Sequence, residues 1–161
     1  MRYEPVERRT ARVIVIDPED RVLLLYFSGR PAGAAWITPG GGIEAGETPE
    51  QAAVRELAEE VGLEGATLGQ MVWRGEHPSY TPYGRPQITR GVYFVCYTDA
   101  FDFDGHVDID EDERFVVTDK RWWTLDEILT SHDAFLPSNF ASLLADILNG
   151  NAPTEPVDVD W

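Results

Sequence analysis

The sequence has a single cysteine, few basic residues and no long apolar run. Cys96 stands alone, which excludes an intrachain disulfide and a thiolate metal cluster. It reads as a small buried residue of a strand rather than as a nucleophile. Thirteen Lys and Arg oppose 29 Asp and Glu, a formal charge of −16. Such a surface repels a phosphate backbone, so no long nucleic acid is expected as a partner. A small anionic substrate stays open, because a bound divalent cation reverses the sign locally. No apolar run approaches the roughly 20 residues that span a bilayer, and MRYEPVERRT has no apolar signal-peptide centre. No membrane contact and a cytoplasmic location are therefore expected. What is present, 43% hydrophobic and 11% aromatic residues over 161 positions, suffices for one packed core. One domain is expected over residues 1–149, with 150–161 as a poorly ordered acidic tail.

Along the chain, β-branched residues 11–16 and apolar residues 22–27 read as strands joined by Asp17-Pro18-Glu19-Asp20, a hairpin pattern. Residues 28–35 read as a loop, 36–38 as a short strand, and Gly40-Gly41-Gly42 as a loop. Thr48, Pro49 and Gln51 then give the N-cap, first-turn proline and capping box of a helix that runs to Val61, with Gly62 as its stop. Residues 66–76 and 87–98 read as strands flanking a polar loop, 77–86. Eight carboxylates between Asp99 and Glu113 form an acidic loop before a strand at 115–123. Thr124 caps a short helix and Ser138 a longer one that ends at Leu148. Strands mixed with helices, without regular βαβ alternation, indicate an α+β fold or α-β-α sandwich.

The helix at 49–61 carries the chemistry. With Glu56 at zero on the wheel, Glu60 falls at about 40° and Glu59 at about −60°, one shared face. Val54, Leu57 and Val61 form a separate stripe toward the core. Three carboxylates so placed repel one another, and a divalent cation removes that penalty; oxygen donors of this kind suit magnesium or manganese. The alternative is a solvated acidic face. The glycines ahead of the helix favour the metal, since they let backbone approach a ligand closely and offer a carbonyl. A Glu47–Arg55 ion pair would tie that loop to the helix, or be an ordinary surface pair.

Gly41, Glu47 and Arg55-Glu56-Leu57-Ala58-Glu59-Glu60-Val61-Gly62-Leu63 together resemble the Nudix box without a departure. The resemblance implies a Nudix-like α-β-α sandwich around a mixed sheet. It implies hydrolysis, dependent on Mg2+ or Mn2+, of a nucleoside diphosphate linked to another moiety. Glu56, Glu59 and Glu60 would hold the cations, with the carbonyl of Gly41 or Gly40, while Arg55 and Glu47 would orient loop and helix. The cations neutralise the diphosphate oxygens and lower the pKa of a bound water, and a carboxylate then takes that water's proton. The resemblance places this base either in the box or on a later loop, where Glu111, Asp112 and Glu113 are candidates and Glu113, nearest the following strand, is favoured.

Substrate marks conflict. Pro78 lies near where members of the family that cleave ADP-ribose carry a proline, and Tyr80 near where those that cleave dinucleoside polyphosphates carry a tyrosine; nucleoside triphosphates are a third option. Arg30, Arg74, Arg85 and Arg90 are candidate phosphate contacts, and Trp36, Tyr80, Tyr83 and Tyr93 are candidates to stack on a base. A small nucleotide-derived substrate and a homodimer are the expected partners. Two other classes compete: a catalytically silent member that binds a nucleotide or protein, and a calcium site in residues 102–113, whose acids do not follow the EF-hand spacing.

Overall fold

The computed structural model describes residues 4–29, 33–81, 83–101 and 116–160. Among these residues, eight strands join one mixed sheet. They are β1 (Val6–Ile16), β2 (Val22–Ser28), β3 (Ala35–Ile37), β4 (Gly40–Gly42), β5 (Met71–Tyr80), β6 (Pro86–Tyr97), β7 (Val116–Trp123) and β8 (Val157–Asp158). The main path runs β3-β2-β1-β6-β5-β8, with β4 beside β1 and β7 beside β2. Helices α1 (Pro49–Val61), α2 (Leu125–Thr130) and α3 (Phe140–Leu148) complete the order.

Each face of the sheet buries its own core, because alternate side chains of one strand point to opposite faces. On one face Ala11, Val13 and Val15 of β1 meet Phe94 and Cys96 of β6 and the α1 residues Ala52, Ala53, Leu57 and Val61. On the other, Ile14 and Ile16 meet Trp73, Tyr93 and Val95, covered by Ile128 of α2 and by Phe140, Leu144 and Ile147 of α3. This is the expected α-β-α sandwich. The long parallel pairing of β1 with β6, from Val6↔Gln87 to Ile16↔Tyr97, is its spine. Among the described residues, no helix is long and apolar enough to cross a membrane.

Several expectations shift. The β1–β2 hairpin pairs only at Ile16↔Val22, because β1 gives its edges to β6 and β4 while β2 turns to β3 and β7. Its turn nevertheless forms on the buried Asp17 carboxylate, which accepts from Glu19 N and Arg21 N at 3.0 and 2.8 Å. The polar stretch expected as a loop at 77–86 is strand to Tyr80, so Pro78 and Tyr80 pair opposite Ile88 and Pro86. Trp122 and Trp123 of β7 alternate, and both are packed because each face of the sheet is covered: Trp122 meets the α1 core and Trp123 the α3 core. Asn139, not Ser138, precedes α3; the Ser138 hydroxyl donates instead to the Asp160 carbonyl at 3.0 Å. That bond belongs to the larger correction. The tail holds β8, which pairs in parallel with β5, and buries Val159 in the α3 core. The apolar alternation of Val157 and Val159 was obscured by the acids around it.

Candidate active site

Local chemistry sets α1 where the sequence places it. Thr48 Oγ1 accepts from Gln51 N at 3.1 Å and the Gln51 side chain accepts from Thr48 N at 2.9 Å, so two otherwise orphaned donors are satisfied. Gly62 ends the helix in the left-handed region at φ 74°. The core stripe is Ala53, Leu57 and Val61, with Ala52 also buried and Val54 only half-buried. Ala52 is buried near the carboxylate side of the wheel, because that side faces β4 rather than open solvent.

The glycine run is not a loop. It is β4, paired antiparallel to β1 through Thr10↔Gly42, Ala11↔Gly41 and Arg12↔Gly40. Gly40 has φ 144°, and a Cβ there would lie 2.3 Å from the Ala11 carbonyl oxygen. Only glycine permits that approach. A Cβ on Gly41 would lie 2.5 Å from Glu56 Oε1. The absent side chain is therefore the cradle in which the Glu56 carboxylate rests.

Arg55 is the hub. Its Nε and Nη2 each donate at 2.8 Å to the two oxygens of Glu47, a bidentate fork, and Nη2 also donates to the Gly42 carbonyl at 2.9 Å. Nη1 reaches Glu56 at 3.0 Å and Glu59 at 3.3 Å. Glu47 in turn accepts from Glu44 N at 2.8 Å. Arg55, first of all, and that backbone donor hold Glu47 at a pKa of about 2, and Glu47, followed by Glu56, pushes the Arg55 pKa upward. Burial is the main cause that raises the Glu56 carboxyl above its ordinary range. Arg55 opposes the shift and the Glu59 charge adds to it. Glu60 accepts from Gly40 N at 3.1 Å, and the Lys120 ammonium caps its backbone carbonyl. The expected Glu47–Arg55 tie thus exists and extends to two of the three helix carboxylates.

Two features fit a hard cation with oxygen ligands. A half-buried carboxylate is destabilised by desolvation against a bare glycine backbone, and two further carboxylates follow three and four residues later, one helical turn on. Among the described residues, the acids are not gathered about one point; Arg55 and the Gly40 N–H hold them instead. Glu111, Asp112, Glu113 and Arg30 lie outside the described residues, as does the candidate calcium loop 102–113.

The substrate candidates separate. Arg74 and Arg90 lie on the α1 side of the sheet, each in an ion pair, and Tyr80 and Tyr83 are exposed at the hairpin tip. Arg85 is exposed in the same turn, its N–H donating to Thr81 Oγ1 at 3.1 Å. Trp36 and Tyr93 are core residues and are not free to stack on a ligand. Burial pushes the Tyr93 hydroxyl up to about 12 and raises the Cys96 thiol, as suits structural groups. Arg9, Glu76 and Asp158 were missed. Arg9 preceded the expected first strand and Asp158 lay in the supposed tail; a strand begun at Val6 would have put Arg9 on the face of Ala11 and Val13.

A family model described as the NUDIX domain matches residues 6–144. Diphosphoinositol polyphosphate phosphohydrolase 3-alpha of Homo sapiens is 30% identical over 139 residues, 84% of this chain and 74% of that protein. RNA pyrophosphohydrolase of Sulfurovum sp. (strain NBC37-1) is 42% identical over 60 residues, 37% of this chain and 35% of that one. The chain spans about a third to a half of the length of the first curated relatives it matches. The crystal structure of the MutT protein from Methanosarcina mazei Go1 superposes with a TM-score of 0.67 at 18% identity, covering 94% of this chain and 100% of that one; the likeness bears on the fold. With the box, the sandwich and a family match over most of the chain in agreement, the chain belongs to the NUDIX family.

Proposed function

We propose that the chain is a pyrophosphohydrolase that cleaves a nucleoside diphosphate linked to another moiety. The Arg55 hub carries this reading: one guanidinium fixes Glu47, the Gly42 carbonyl, Glu56 and Glu59 relative to one another, while Glu56 is pressed against the Gly41 backbone. A structural ion pair has no need of two additional carboxylates and a bare backbone beside it. Glu56, Glu59, Glu60 and the Gly41 carbonyl are the groups that would hold a divalent cation. When bound, magnesium or manganese would neutralise diphosphate oxygens and lower the pKa of the attacking water.

The residues of the chain supply position and proton transfer. Arg55 and Glu47 hold strand and helix in register, so the carboxylates need not be reordered when substrate arrives. Gly40 lets β4 lie close against β1, and Gly41 leaves the room in which the Glu56 carboxylate is held. Glu113 is proposed to accept the proton of the attacking water, and Glu113→Gln tests it by a fall in kcat with little change in KM. The reading itself is tested by phosphate or nucleotide release with magnesium from ADP-ribose, dinucleoside polyphosphates, nucleoside triphosphates, nucleotide sugars and NADH. Release from at least one substrate, abolished in Glu60→Gln, supports it. No release from any favours a silent nucleotide- or protein-binding member.

A further inference from the structure

A cavity of about 360 Å³ opens on the α1 side of the sheet. Arg9, Ile43, Arg74, Glu76, Arg90 and Asp158 line it. Ile43 directly follows the box strand β4, and its N–H donates to the Arg9 carbonyl at 2.9 Å. The cavity therefore adjoins the proposed cleavage site, where the group carried by the diphosphate would lie.

Its charges are paired before any ligand arrives. Arg90 holds Glu76 and Glu7, each at 2.8 Å, and Arg74 holds Asp158 at 3.1 Å. The two carboxylates raise the Arg90 pKa. Among the described residues, Arg9 alone of the three guanidiniums has no carboxylate partner. A group rich in phosphate would meet one available cation and three carboxylates, in a chain of net charge −16, and like charges so placed select against a partner. A nucleoside instead offers donors and acceptors to the alternating guanidiniums and carboxylates, and Ile43 offers an apolar wall. The volume lies within the usual span of small-ligand pockets, roughly 300–1,000 Å³.

We infer that this cavity selects a nucleoside bearing a single phosphate, placed on Arg9, and rejects polyphosphorylated groups such as inositol polyphosphates and the triphosphorylated end of an RNA. The inference rests on the pyrophosphohydrolase reading for the cavity's place beside the cut bond, but it is measured by binding, without turnover. The full chain is titrated at about 0.15 M salt with four nucleoside monophosphates and, separately, with inositol hexakisphosphate. At least one nucleotide is expected to bind roughly tenfold or more tightly than the hexakisphosphate, a gap of about 1.4 kcal/mol. The triple variant Glu7→Gln, Glu76→Gln, Asp158→Asn, all at exposed positions, should shift that ratio toward the hexakisphosphate by roughly tenfold. Tighter or equal binding of the hexakisphosphate by the unmodified chain, no measurable nucleotide binding, or an unchanged ratio in the variant would each overturn the inference. Selective nucleotide binding without cleavage of any substrate would sink the hydrolase reading alone. Cleavage that prefers polyphosphorylated substrates would sink the cavity reading alone.

Discussion

Two arginine networks lie on the same side of one sheet and differ mainly in how much water reaches them. Around Arg55 the side chains are 24% exposed for the arginine, 17% for Glu47 and 14% for Glu56. At the cavity rim Arg90 and Glu76 are 50% and 56% exposed, and Arg74 and Asp158 are 62% and 80%. The ion-pair lengths are nearly the same. Exposed pairs are screened and contribute at most about 1 kcal/mol, whereas a desolvated, bidentate fork resists rearrangement. The Arg55 network therefore fixes an arrangement, while the rim pairs, screened by water, add little to the stability of the fold.

The comparison breaks most sharply at the carboxylates that Arg55 and β4 hold. Glu60→Gln should lower kcat/KM by more than about 100-fold, since even groups that only support a metal ligand cost 10–100-fold when changed. A steady-state assay at saturating magnesium reads it. Next comes Arg55→Lys, which keeps the charge but loses the fork to Glu47 and the bond to Gly42. Activity should fall by about 10–100-fold, and added magnesium should recover part of it if the loss is in cation affinity. Gly41→Ala puts a Cβ 2.5 Å from Glu56 Oε1 and must displace that carboxylate. A weaker cation affinity, by about tenfold, should appear with little change in thermal unfolding.

Glu47→Gln tests the fork through pH. The folded carboxyl titrates at about 2, against an ordinary value of 4.5. Its contribution is therefore fully present above pH 4.5 and is lost as pH falls toward 2. Denaturant unfolding at pH 7 should show the variant less stable than the wild type, with the gap closing below pH 4.5. A gap that widens on acidification would contradict the assignment. Arg74→Ala should have the smallest effect, below about 1 kcal/mol in the same measurement. A larger loss would mean that the rim is rigid after all.

The two networks also differ in how they could be read from the sequence. Glu47, Arg55, Glu56 and Glu59 lie within 13 positions, so helical geometry and one loop relate them. The capping box and Gly62 fix the ends of α1 by interactions between near neighbours. The site's wheel was therefore legible. Its surroundings were less so, because the wheel gives faces but not what covers them. Ala52 and Ala53 replaced Val54 in the core once β4 closed over the helix, and the glycines proved to be strand because β1 had a free edge for them. Rim pairs join β5 to β6, β6 to β1 and β5 to β8. Glu7 and Arg90 meet through a parallel pairing of β1 with β6 that no local pattern encodes, and Asp158 depends on a strand of two residues.

Direct titration with Mn2+ of the wild-type chain and of Glu60→Gln tests the central claim, that the Gly41–Leu63 segment is a cation site rather than a solvated acidic face. Saturable binding by the wild type, weakened by at least about tenfold in the variant, is the predicted result. Equal binding by the two proteins, or none by the wild type, would contradict it.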